Sequence, residues 1–495
     1  MAKSIMLQGT GSDVGKSVLA AALCRIFLQD GYRVAPFKSQ NMALNSYVTL
    51  DGGEMGRAQV VQAQACRLEP DVTMNPILLK PTTDVGAQVI VMGRPVGNMS
   101  VEAYFRFKEE GAIPIVTEAY KRLAEEYDLI VIEGAGSPAE INLRDGDIVN
   151  MRMAEIADAP VILVGDIDRG GVFASLAGTM LLLEQHERRR IKAFLINKFR
   201  GRKALLDSGL EMIEARVHRP FLGVIPYFTD IRIPDEDSVA MKGRPSDVAF
   251  SADTVNIEVL ILPHISNFTD FDPFEGEPDV RLRYLGPSDA ISNPDVLFVP
   301  GSKNTIGDLN ALQSRGIARK VIELAKRGAT VVGICGGYQM LGNRIVDPRG
   351  SESPLGAVEG LGLLDVETIF EPGKTTLQVA ATEIASGLNV SGYEIHMGET
   401  KRLGTTVPMF RIHSRGGIED GAQNAQGSIW GTYLHGLFDD DRFRRAFIDR
   451  LRIRKGLKPL GSVQFRFDQD AEFDKLADRV RAHVDMERLY RIVGV

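Results

Sequence analysis

The chain has 495 residues, of which 44% are hydrophobic and 25% are charged, and its formal net charge is −7. At roughly 150 residues per domain, this length predicts two to four folded units. The acidic balance gives no electrostatic footprint for nucleic acid, although a local basic pocket could still bind an anionic substrate. Three cysteines form no disulfide framework, and there is neither a signal peptide nor an apolar run of membrane-spanning length. We therefore expect a cytoplasmic protein with no nucleic-acid or membrane partner.

The first half of the chain alternates short apolar runs with helical patterns. Each apolar run ends in a loop rich in Gly, Asp or Asn, at the edge where parallel sheets bind ligands. Buried strands that alternate with helices are typical of an α/β fold with a parallel sheet covered on both faces. The predicted strands cover residues 4–7, 33–37, 129–133, 161–164 and 193–197, and the first predicted helix covers about 16–30.

A second α/β series follows a polar stretch that contains prolines. Its apolar runs cover residues 257–262, 296–299 and 330–334. Polar, proline-containing stretches between periodic segments are typical of linkers. The predicted divisions are an N-terminal parallel-sheet domain (1–232), a linker (233–254), a second α/β domain (255–450) and a helical C-terminal extension (451–495).

Residues 9–17 (GTGSDVGKS) join the first predicted strand to the first predicted helix. Glycines let the backbone wrap around a phosphate, and the N–H groups at the helix start attract anions. In a phosphate-binding loop, Lys16 would reach the outer phosphates and the Ser17 hydroxyl would bind Mg²⁺. The standard loop has a glycine five positions before Gly15, where Thr10 stands here, so this loop is a variant. The residues predicted to bind nucleotide in the loop are Thr10, Gly11, Gly15, Lys16 and Ser17.

The variant loop resembles that of dethiobiotin synthetase and its relatives, which implies a nucleotide-binding domain that uses ATP and Mg²⁺. Glu133 ends a buried strand, where a carboxylate can hold Mg²⁺ directly or through water. The resemblance also implies that Glu54 is a second metal ligand and that Asn197 contacts the nucleotide base. Asp166 and Asp168 end another strand, where a ligand contact or helix capping would account for them.

Residues 330–338 (TVVGICGGY) predict a strand, a turn with glycines on both sides of Cys335, and the start of a helix. Such a turn holds the side chain on a tight, exposed bend, and the helix N-terminus favours the reactive thiolate. Gly336 offers a backbone N–H to an oxyanion, and Gly301, in the loop after the preceding strand, can supply a second. The pattern predicts that Cys335 is a nucleophile.

A cysteine nucleophile needs a base, and of the seven histidines His435 is the best placed, just after a strand-like run. The surroundings of Cys335 and His435 resemble those in class I glutamine amidotransferases, where the cysteine attacks the side-chain amide of glutamine and releases ammonia. Those enzymes usually carry a Glu two residues after the histidine, but Leu437 occupies that position here. The third member of a Cys–His–acid triad is therefore either missing or supplied from elsewhere in the chain.

Glu394 and His396 form a second candidate pair on a predicted strand. Residues two apart in a strand point to the same face. The pair could line the glutamine site or an interdomain surface, or it could make structural hydrogen bonds, and the sequence leaves these alternatives open.

Three segments of the first half, residues 37–46 (FKSQNMALNS), 53–59 and 74–81, are dense in amide and hydroxyl groups. So many donors beside a phosphate-binding loop predict a large polar ligand. Together with the surroundings of Cys335 and His435, these segments resemble the cobyric acid synthase family over nearly the whole chain. The fold so implied is α/β, with a dethiobiotin-synthetase-like domain followed by a class I glutamine amidotransferase-like domain.

The resemblance implies amidation of the b, d, e and g carboxylates of adenosylcobyrinic acid a,c-diamide. Glutamine would be the ammonia donor, ATP would be consumed and an acyl phosphate would form. Substrate contacts would come from Lys38, Gln40 and Asn41, with Lys38 at the reacting carboxylate. The implied partners are the corrinoid substrate and glutamine, and a homo-oligomer is compatible with the sequence.

Two alternatives stay open. The related cobyrinic acid a,c-diamide synthases share the two-domain plan, and the donor-rich segments are the reason for preferring cobyric acid synthase. A regulatory ATPase with a degenerate amidotransferase domain would account for Leu437, but the intact turn around Cys335 opposes it.

Overall fold

The computed structural model of the protein describes residues 2–83, 86–234, 247–350, 352–353 and 355–495. They form two compact units. Unit 1 contains Met1–Met42, Glu54–Pro234 and Asp468–Val495, and unit 2 contains Ala43–Gly53 and Asp235–Phe467. The main change of unit lies beside the boundary predicted at residue 232, and residues 235–246 of the predicted linker lie outside the described residues. The sequence did not predict that residues 43–53 join unit 2 or that residues 468–495 join unit 1.

A six-stranded parallel sheet forms the centre of unit 1. Its strands lie in the spatial order Phe221–Pro226, Ile191–Phe199, Val161–Asp166, Lys3–Gly9, Leu129–Glu133 and Val34–Phe37. Every residue of the last two strands is buried, as expected when helices cover both faces. The helices of the unit are Lys16–Gln29, Arg57–Ala65, Val101–Phe107, Ile113–Glu126, Met151–Ile156, Val172–Leu182, Gln185–Arg190, Asp207–Val217, Gln469–Arg481 and Met486–Val493.

A smaller sheet of unit 1 contains part of the donor-rich segments. Its strands lie in the order Gln40–Met42, Ile77–Thr83, Gly86–Val91 and Arg94–Ser100. The first pair is parallel and the other two are antiparallel. Gln40 and Asn41 therefore lie in an edge strand that begins three residues after the buried strand Val34–Phe37.

The two C-terminal helices, Gln469–Arg481 and Met486–Val493, complete the core of unit 1. Their apolar side chains share one hydrophobic cluster with the helix Lys16–Gln29. Arg25 of that helix is buried and forms an ion pair with Asp470. The side chains that the C-terminal helices bury are Phe473, Leu476, Ala477, Val480, Leu489 and Val493. The helical C-terminal segment was predicted to begin at residue 451. In the structure residues 451–467 belong to unit 2, where the helix Asp441–Arg454 runs across that boundary, and only residues 468–495 belong to unit 1.

Unit 2 is built on a second, mainly parallel sheet. Its strands lie in the order Val280–Leu285, Val255–Leu260, Val296–Val299, Thr330–Ile334, Ile429–Thr432 and Ala422–Gln423, and only the last pair is antiparallel. A further sheet contains Ala357–Glu359, Arg344–Val346, Val366–Glu383, Asn389–Arg402, Leu434–His435, Phe410–Ile412 and Ile418–Asp420. The helices are Thr305–Ser314, Ile317–Lys326, Gly336–Leu341 and Asp441–Arg454.

Both units thus have parallel sheets with packed helices, which confirms the predicted α/β fold class. None of the described helices combines the length and the apolar character needed to cross a membrane.

Candidate active site

The predicted phosphate-binding loop connects the strand Lys3–Gly9 to the helix Lys16–Gln29. Gly15 has a φ of +94°, and a Cβ atom there would lie 2.2 Å from Nδ2 of Asn197, so this position requires glycine. Lys16 Nζ donates hydrogen bonds to Gly11 O at 2.9 Å and to Gly136 O at 3.2 Å. The ammonium group is therefore folded back over the loop, where it can meet the outer phosphates of a nucleotide.

The Glu133 carboxylate connects the loop to the donor-rich segments. Its Oε1 accepts hydrogen bonds from Ser17 Oγ and Lys38 Nζ, both at 2.8 Å, and its Oε2 accepts one from Gln62 Nε2 at 2.5 Å. Glu133 is only 1% exposed, so its charge is balanced within the unit, chiefly by Lys38. Sequence analysis had not singled out Gln62.

Ser17 and Glu133 present the oxygen atoms that a magnesium ion prefers. Among the described residues, no group of three or more His, Cys, Asp or Glu forms a metal cluster. Mg²⁺ keeps several waters and usually takes only one or two carboxylates together with phosphate oxygens, so this sparse donor set fits it. Glu54, the other predicted ligand, is buried and pairs with Lys80 Nζ at 2.8 Å. Its role as a metal ligand stays a prediction.

The other polar residues at the strand ends of unit 1 have definite partners. Asn197 Nδ2 donates to Val14 O of the loop at 2.9 Å, which places the side chain against the loop, while its base contact stays a prediction. Asp166 pairs with Lys198 at 3.0 Å, and Asp168 pairs with Arg200 at 2.9 Å. Neither aspartate caps the helix Val172–Leu182, whose N-cap residue is Gly171, so the capping alternative is wrong.

Of the three predicted substrate residues, Lys38 lies next to the phosphate-binding loop, whereas Gln40 and Asn41 form hydrogen bonds with other side chains of unit 1. Lys38 lies at Glu133, beside the phosphate-binding loop. Gln40 Oε1 accepts a hydrogen bond from Tyr104 Oη at 2.5 Å. Asn41 is buried, and its Nδ2 donates to Gln59 Oε1 at 2.8 Å. This hydrogen bond joins two of the donor-rich segments, 37–46 and 53–59. Substrate contacts for the three remain predictions.

In unit 2, Cys335 lies on the predicted sharp turn between the strand Thr330–Ile334 and the helix Gly336–Leu341. Its φ of 51° and ψ of −110° are strained for a residue with a side chain, as in a nucleophile elbow. A Cβ atom on Gly337 would lie 1.9 Å from Val299 O, so the turn needs glycine there. Cys335 Sγ donates a hydrogen bond to Ile395 O at 3.6 Å.

The predicted oxyanion donors, Gly336 and Gly301, lie in crowded backbone next to residues of the site. A Cβ atom on Gly336 would lie 2.9 Å from Ser302 N, and one on Gly301 would lie 3.3 Å from Cε1 of His435. Gly301 is paired with Ser266 in a short antiparallel bridge. Gly336 and Gly301 as oxyanion donors stay predictions, and Ser302 N is a further candidate that the sequence did not single out.

Asp270 supplies the acid that the sequence pattern lacks. Its Oδ2 lies 2.7 Å from His435 Nδ1, and its Oδ1 accepts a hydrogen bond from Gly436 N at 2.8 Å. Burial alone would lower the pKa of His435, but the charge and hydrogen bond of Asp270, together with Cys335, raise it to about 10. Leu437 is 1% exposed and packs in the hydrophobic core. We refer to Cys335, His435 and Asp270 as the triad.

The pattern around His435 does not indicate Asp270, because Asp270 lies 165 residues earlier in the chain. It belongs to the 3₁₀ segment Phe268–Gly276, in which Phe268, Phe271 and Phe274 are buried. A carboxylate between phenylalanines that are buried is often buried as well, and a buried carboxylate needs a partner. That pattern was the one local signal for it.

Comparison with known proteins agrees with the two kinds of domain. Residues 5–239 match the family described as the CobQ/CobB/MinD/ParA nucleotide binding domain. Residues 256–443 match the family described as the CobB/CobQ-like glutamine amidotransferase domain. The cobyric acid synthase of Syntrophobacter fumaroxidans is 51% identical, over 100% of this chain and 99% of the relative. Those of Clostridium acetobutylicum (51%, over 99% of each chain) and Yersinia enterocolitica (52%, over 99% and 98%) are equally similar.

A nucleotide-binding unit and a glutamine amidotransferase unit in one chain define a glutamine-hydrolysing ligase. The chain belongs to the cobyric acid synthase family. The resemblance drawn from the sequence motifs is therefore confirmed.

Proposed function

We propose that the chain converts the b, d, e and g carboxylates of adenosylcobyrinic acid a,c-diamide to carboxamides, with ATP as the energy source and glutamine as the ammonia donor. Full-length identity of 51% to cobyric acid synthases supports the reaction class. The observation that carries the proposal is the buried triad, in the same chain as a phosphate-binding loop whose Ser17 contacts Glu133.

Unit 2 would release ammonia. Asp270 fixes His435 with Nδ1 toward the carboxylate and raises the pKa of the ring, so His435 favours the imidazolium form and its Nε2 holds the proton that leaves the Cys335 thiol. The thiolate attacks the side-chain amide carbon of glutamine, and backbone N–H groups such as that of Gly336 stabilise the oxyanion. The imidazolium returns its proton to the departing ammonia, and water then hydrolyses the thioester to glutamate.

Unit 1 would activate the carboxylate. Lys16 and the loop N–H groups hold the phosphates, while Ser17 and Glu133 would hold Mg²⁺, which offsets phosphate charge when bound. The substrate carboxylate attacks the γ-phosphorus and ADP leaves. Ammonia then attacks the acyl phosphate carbon and phosphate leaves. Lys38, whose Nζ lies 2.8 Å from Glu133 beside the loop, would contact the reacting carboxylate when Mg²⁺ is bound to Glu133.

The test is to incubate the protein with Mg-ATP, glutamine and adenosylcobyrinic acid a,c-diamide and to follow the corrinoid mass. We expect four successive conversions of carboxyl to carboxamide. A Cys335→Ala variant should lose them with glutamine and keep them with ammonium salts, because only ammonia release needs the thiol. A Cys66→Ala variant is the matched control, since Cys66 is a buried cysteine of unit 1.

Hydrolysis of glutamine without any change in corrinoid mass would overturn the substrate assignment and leave the amidotransferase assignment standing. No change in the a,c-diamide, but addition of two amides when cobyrinic acid is supplied in its place, would point to the alternative, a cobyrinic acid a,c-diamide synthase.

A further inference from the structure

His396 lies in the strand Asn389–Arg402, between two backbone carbonyls that contact the nucleophile and its helix. Cys335 Sγ donates to Ile395 O at 3.6 Å, and Gln339 Nε2 donates to Met397 O at 3.0 Å. The strand therefore passes along the first turn of the helix that follows Cys335, and His396 stands at the middle of this passage.

The imidazole ring of His396 is held in a fixed position. It stacks on the ring of Tyr433, with centroids 3.6 Å apart and an interplanar angle of 15°. The Tyr433 hydroxyl accepts a hydrogen bond from Gln339 Nε2 at 3.1 Å and lies 2.5 Å from Thr400 Oγ1. Because Gln339 is on the helix that Cys335 begins, the ring is tied to the surroundings of the nucleophile.

The two ring nitrogens of His396 have different states. Nδ1 lies 3.2 Å from Gly398 O, and since a carbonyl oxygen only accepts, Nδ1 carries the hydrogen. Burial lowers the pKa of His396 to about 3, and the nearby charges of Arg415 and His435 act in the same direction, whereas the bond to Gly398 acts against it. The ring is therefore neutral, and Nε2 is an acceptor.

Nε2 of His396 is buried, and among the described residues it has no hydrogen-bond partner. Buried acceptors in folded proteins are nearly always satisfied, so an unpaired one next to the residue that contacts Cys335 leaves a place for a donor that arrives with the ligand. Glutamine carries N–H donors at two places, the α-ammonium group and the side-chain carboxamide.

We propose that His396 Nε2 accepts a hydrogen bond from an N–H group of the substrate glutamine and so selects glutamine at the triad. The proposal rests on the glutaminase activity proposed above. It assigns a ligand-binding role to a residue that the sequence left undecided between a glutamine site, an interdomain surface and a structural bond.

Two substitutions of His396 distinguish the effect of the Nε2 acceptor from the effect of the stacked ring. His396→Phe keeps an aromatic ring for stacking on Tyr433 but has no acceptor. His396→Gln places an amide oxygen near the position of Nε2. His413→Phe is the matched control, because His413 is an exposed histidine of the same unit. Synthesis driven by ammonium salts should equal that of the wild type in all three variants, which shows that unit 1 is intact. A ligand whose rate stays at the wild-type value shows that unit 2 is folded.

Three ligands show which N–H group, the α-ammonium group or the side-chain carboxamide, donates to His396 Nε2. Glutamine has both donors, glutaramate has the carboxamide without the α-ammonium group, and 6-diazo-5-oxo-L-norleucine has the α-ammonium group without the carboxamide. The last compound alkylates Cys335 at its terminal carbon with loss of N₂. The quantities measured are kcat/KM for glutamine and glutaramate, and the second-order rate of Cys335 alkylation followed by protein mass.

We expect His396→Phe to lower kcat/KM for glutamine about tenfold or more, the usual consequence of leaving a buried donor unpaired, and His396→Gln to recover part of it. A loss shared with the diazo compound but absent with glutaramate identifies the α-ammonium group as the donor. A loss shared with glutaramate but absent with the diazo compound identifies the carboxamide.

Equal losses with all three ligands would show a general structural effect and overturn the proposal, as would wild-type values with all three. If the wild-type protein hydrolyses no glutamine under conditions where it still uses ammonium salts, the proposed glutaminase activity fails first and this inference falls with it.

Discussion

The orienting acid of the triad comes from a distant part of the chain, which changes what Leu437 means. Asp270 uses both carboxylate oxygens, one toward His435 Nδ1 at 2.7 Å and one toward Gly436 N at 2.8 Å. Leu437 is free to pack in the core because the acid is supplied elsewhere. The absence of a glutamate at position 437 therefore gives no support to a degenerate amidotransferase.

An Asp270→Asn substitution should lower the glutaminase kcat by roughly 10²- to 10⁴-fold, because the amide can no longer stabilise the imidazolium. Since the charge of Asp270 raises the pKa of His435, its loss should also move the alkaline limb of the pH–rate profile to lower pH. The measurements are glutaminase kcat against pH and synthesis with ammonium salts, which should be unchanged. The exposed Asp253→Asn is the control, and an unaltered pH profile in Asp270→Asn would refute the orienting role.

Glu394 should make the stability of unit 2 depend on pH. Burial and the charge of Asp420 raise its pKa from 4.5 to about 7, although Arg415, at 3.0 Å, acts in the opposite direction. Between pH 4.5 and about pH 7, Glu394 holds a proton in the folded state but not in the unfolded state. Its contribution to stability is therefore fully present below about pH 4.5 and is lost as the pH rises through 7. The change is at most about 3 kcal/mol.

Urea unfolding at pH 5 and pH 8, followed by the fluorescence of Trp430, tests this dependence, because the chain has one tryptophan and it lies in unit 2. The free energy of unfolding of wild type minus that of Glu394→Gln should fall between the two pH values. The exposed Glu359→Gln should show no such fall. A difference that stays constant with pH would contradict the raised pKa.

At the scale of elements, local patterns predicted the parts whose causes are local. Glycines around Cys335 and Gly15 indicate tight strand–turn–helix connections, and both connections are present because the backbone there has no room for a Cβ atom. The placement of Asp270 depended on a contact between residues far apart in sequence, and no periodicity encodes such a contact. The same is true of the C-terminal helices, whose amphipathic pattern shows an apolar face without showing what covers it.

The junction between the strand Phe221–Pro226 and the C-terminal helices depends on one glycine. A Cβ atom on Gly223 would lie 1.9 Å from His483 O, and Asp485 N donates to Leu222 O at 2.8 Å in the same junction. Gly223→Ala should therefore destabilise unit 1 by about 1–3 kcal/mol. The measurement is amide hydrogen exchange in residues 468–495, which should be faster in Gly223→Ala than in the wild type.

Gly178→Ala is the matched control for the junction. Gly178 lies in the helix Val172–Leu182, and an added Cβ atom would meet nothing within 4 Å. Alanine is favoured over glycine inside a helix by roughly 0.5–1 kcal/mol, so this variant should be as stable as the wild type or more stable. Equal exchange in the two variants would show that the junction tolerates a side chain.

At the scale of the whole molecule, the chain returns to its first unit after completing its second. Unit 1 therefore consists of three segments, and the last of them, Asp468–Val495, supplies buried side chains to the core around the helix Lys16–Gln29. That helix begins with Lys16 and Ser17 of the phosphate-binding loop. The nucleotide-binding function of the first unit should accordingly depend on the end of the chain.

Ending the chain after Phe467 tests that dependence. The truncation removes Phe473, Leu476, Val480 and Leu489 from the core of unit 1 but takes nothing from unit 2. Burial of each such side chain contributes about 1.5–3 kcal/mol, so losing these four should cost roughly 6–12 kcal/mol, which is comparable with the whole stability of a typical domain, about 5–15 kcal/mol. We expect synthesis with ammonium salts to be lost, while alkylation of Cys335 by 6-diazo-5-oxo-L-norleucine continues at the wild-type rate. Adding the peptide 468–495 should restore part of the synthesis, and truncated protein that is fully active without the peptide would show that the C-terminal helices are dispensable to unit 1.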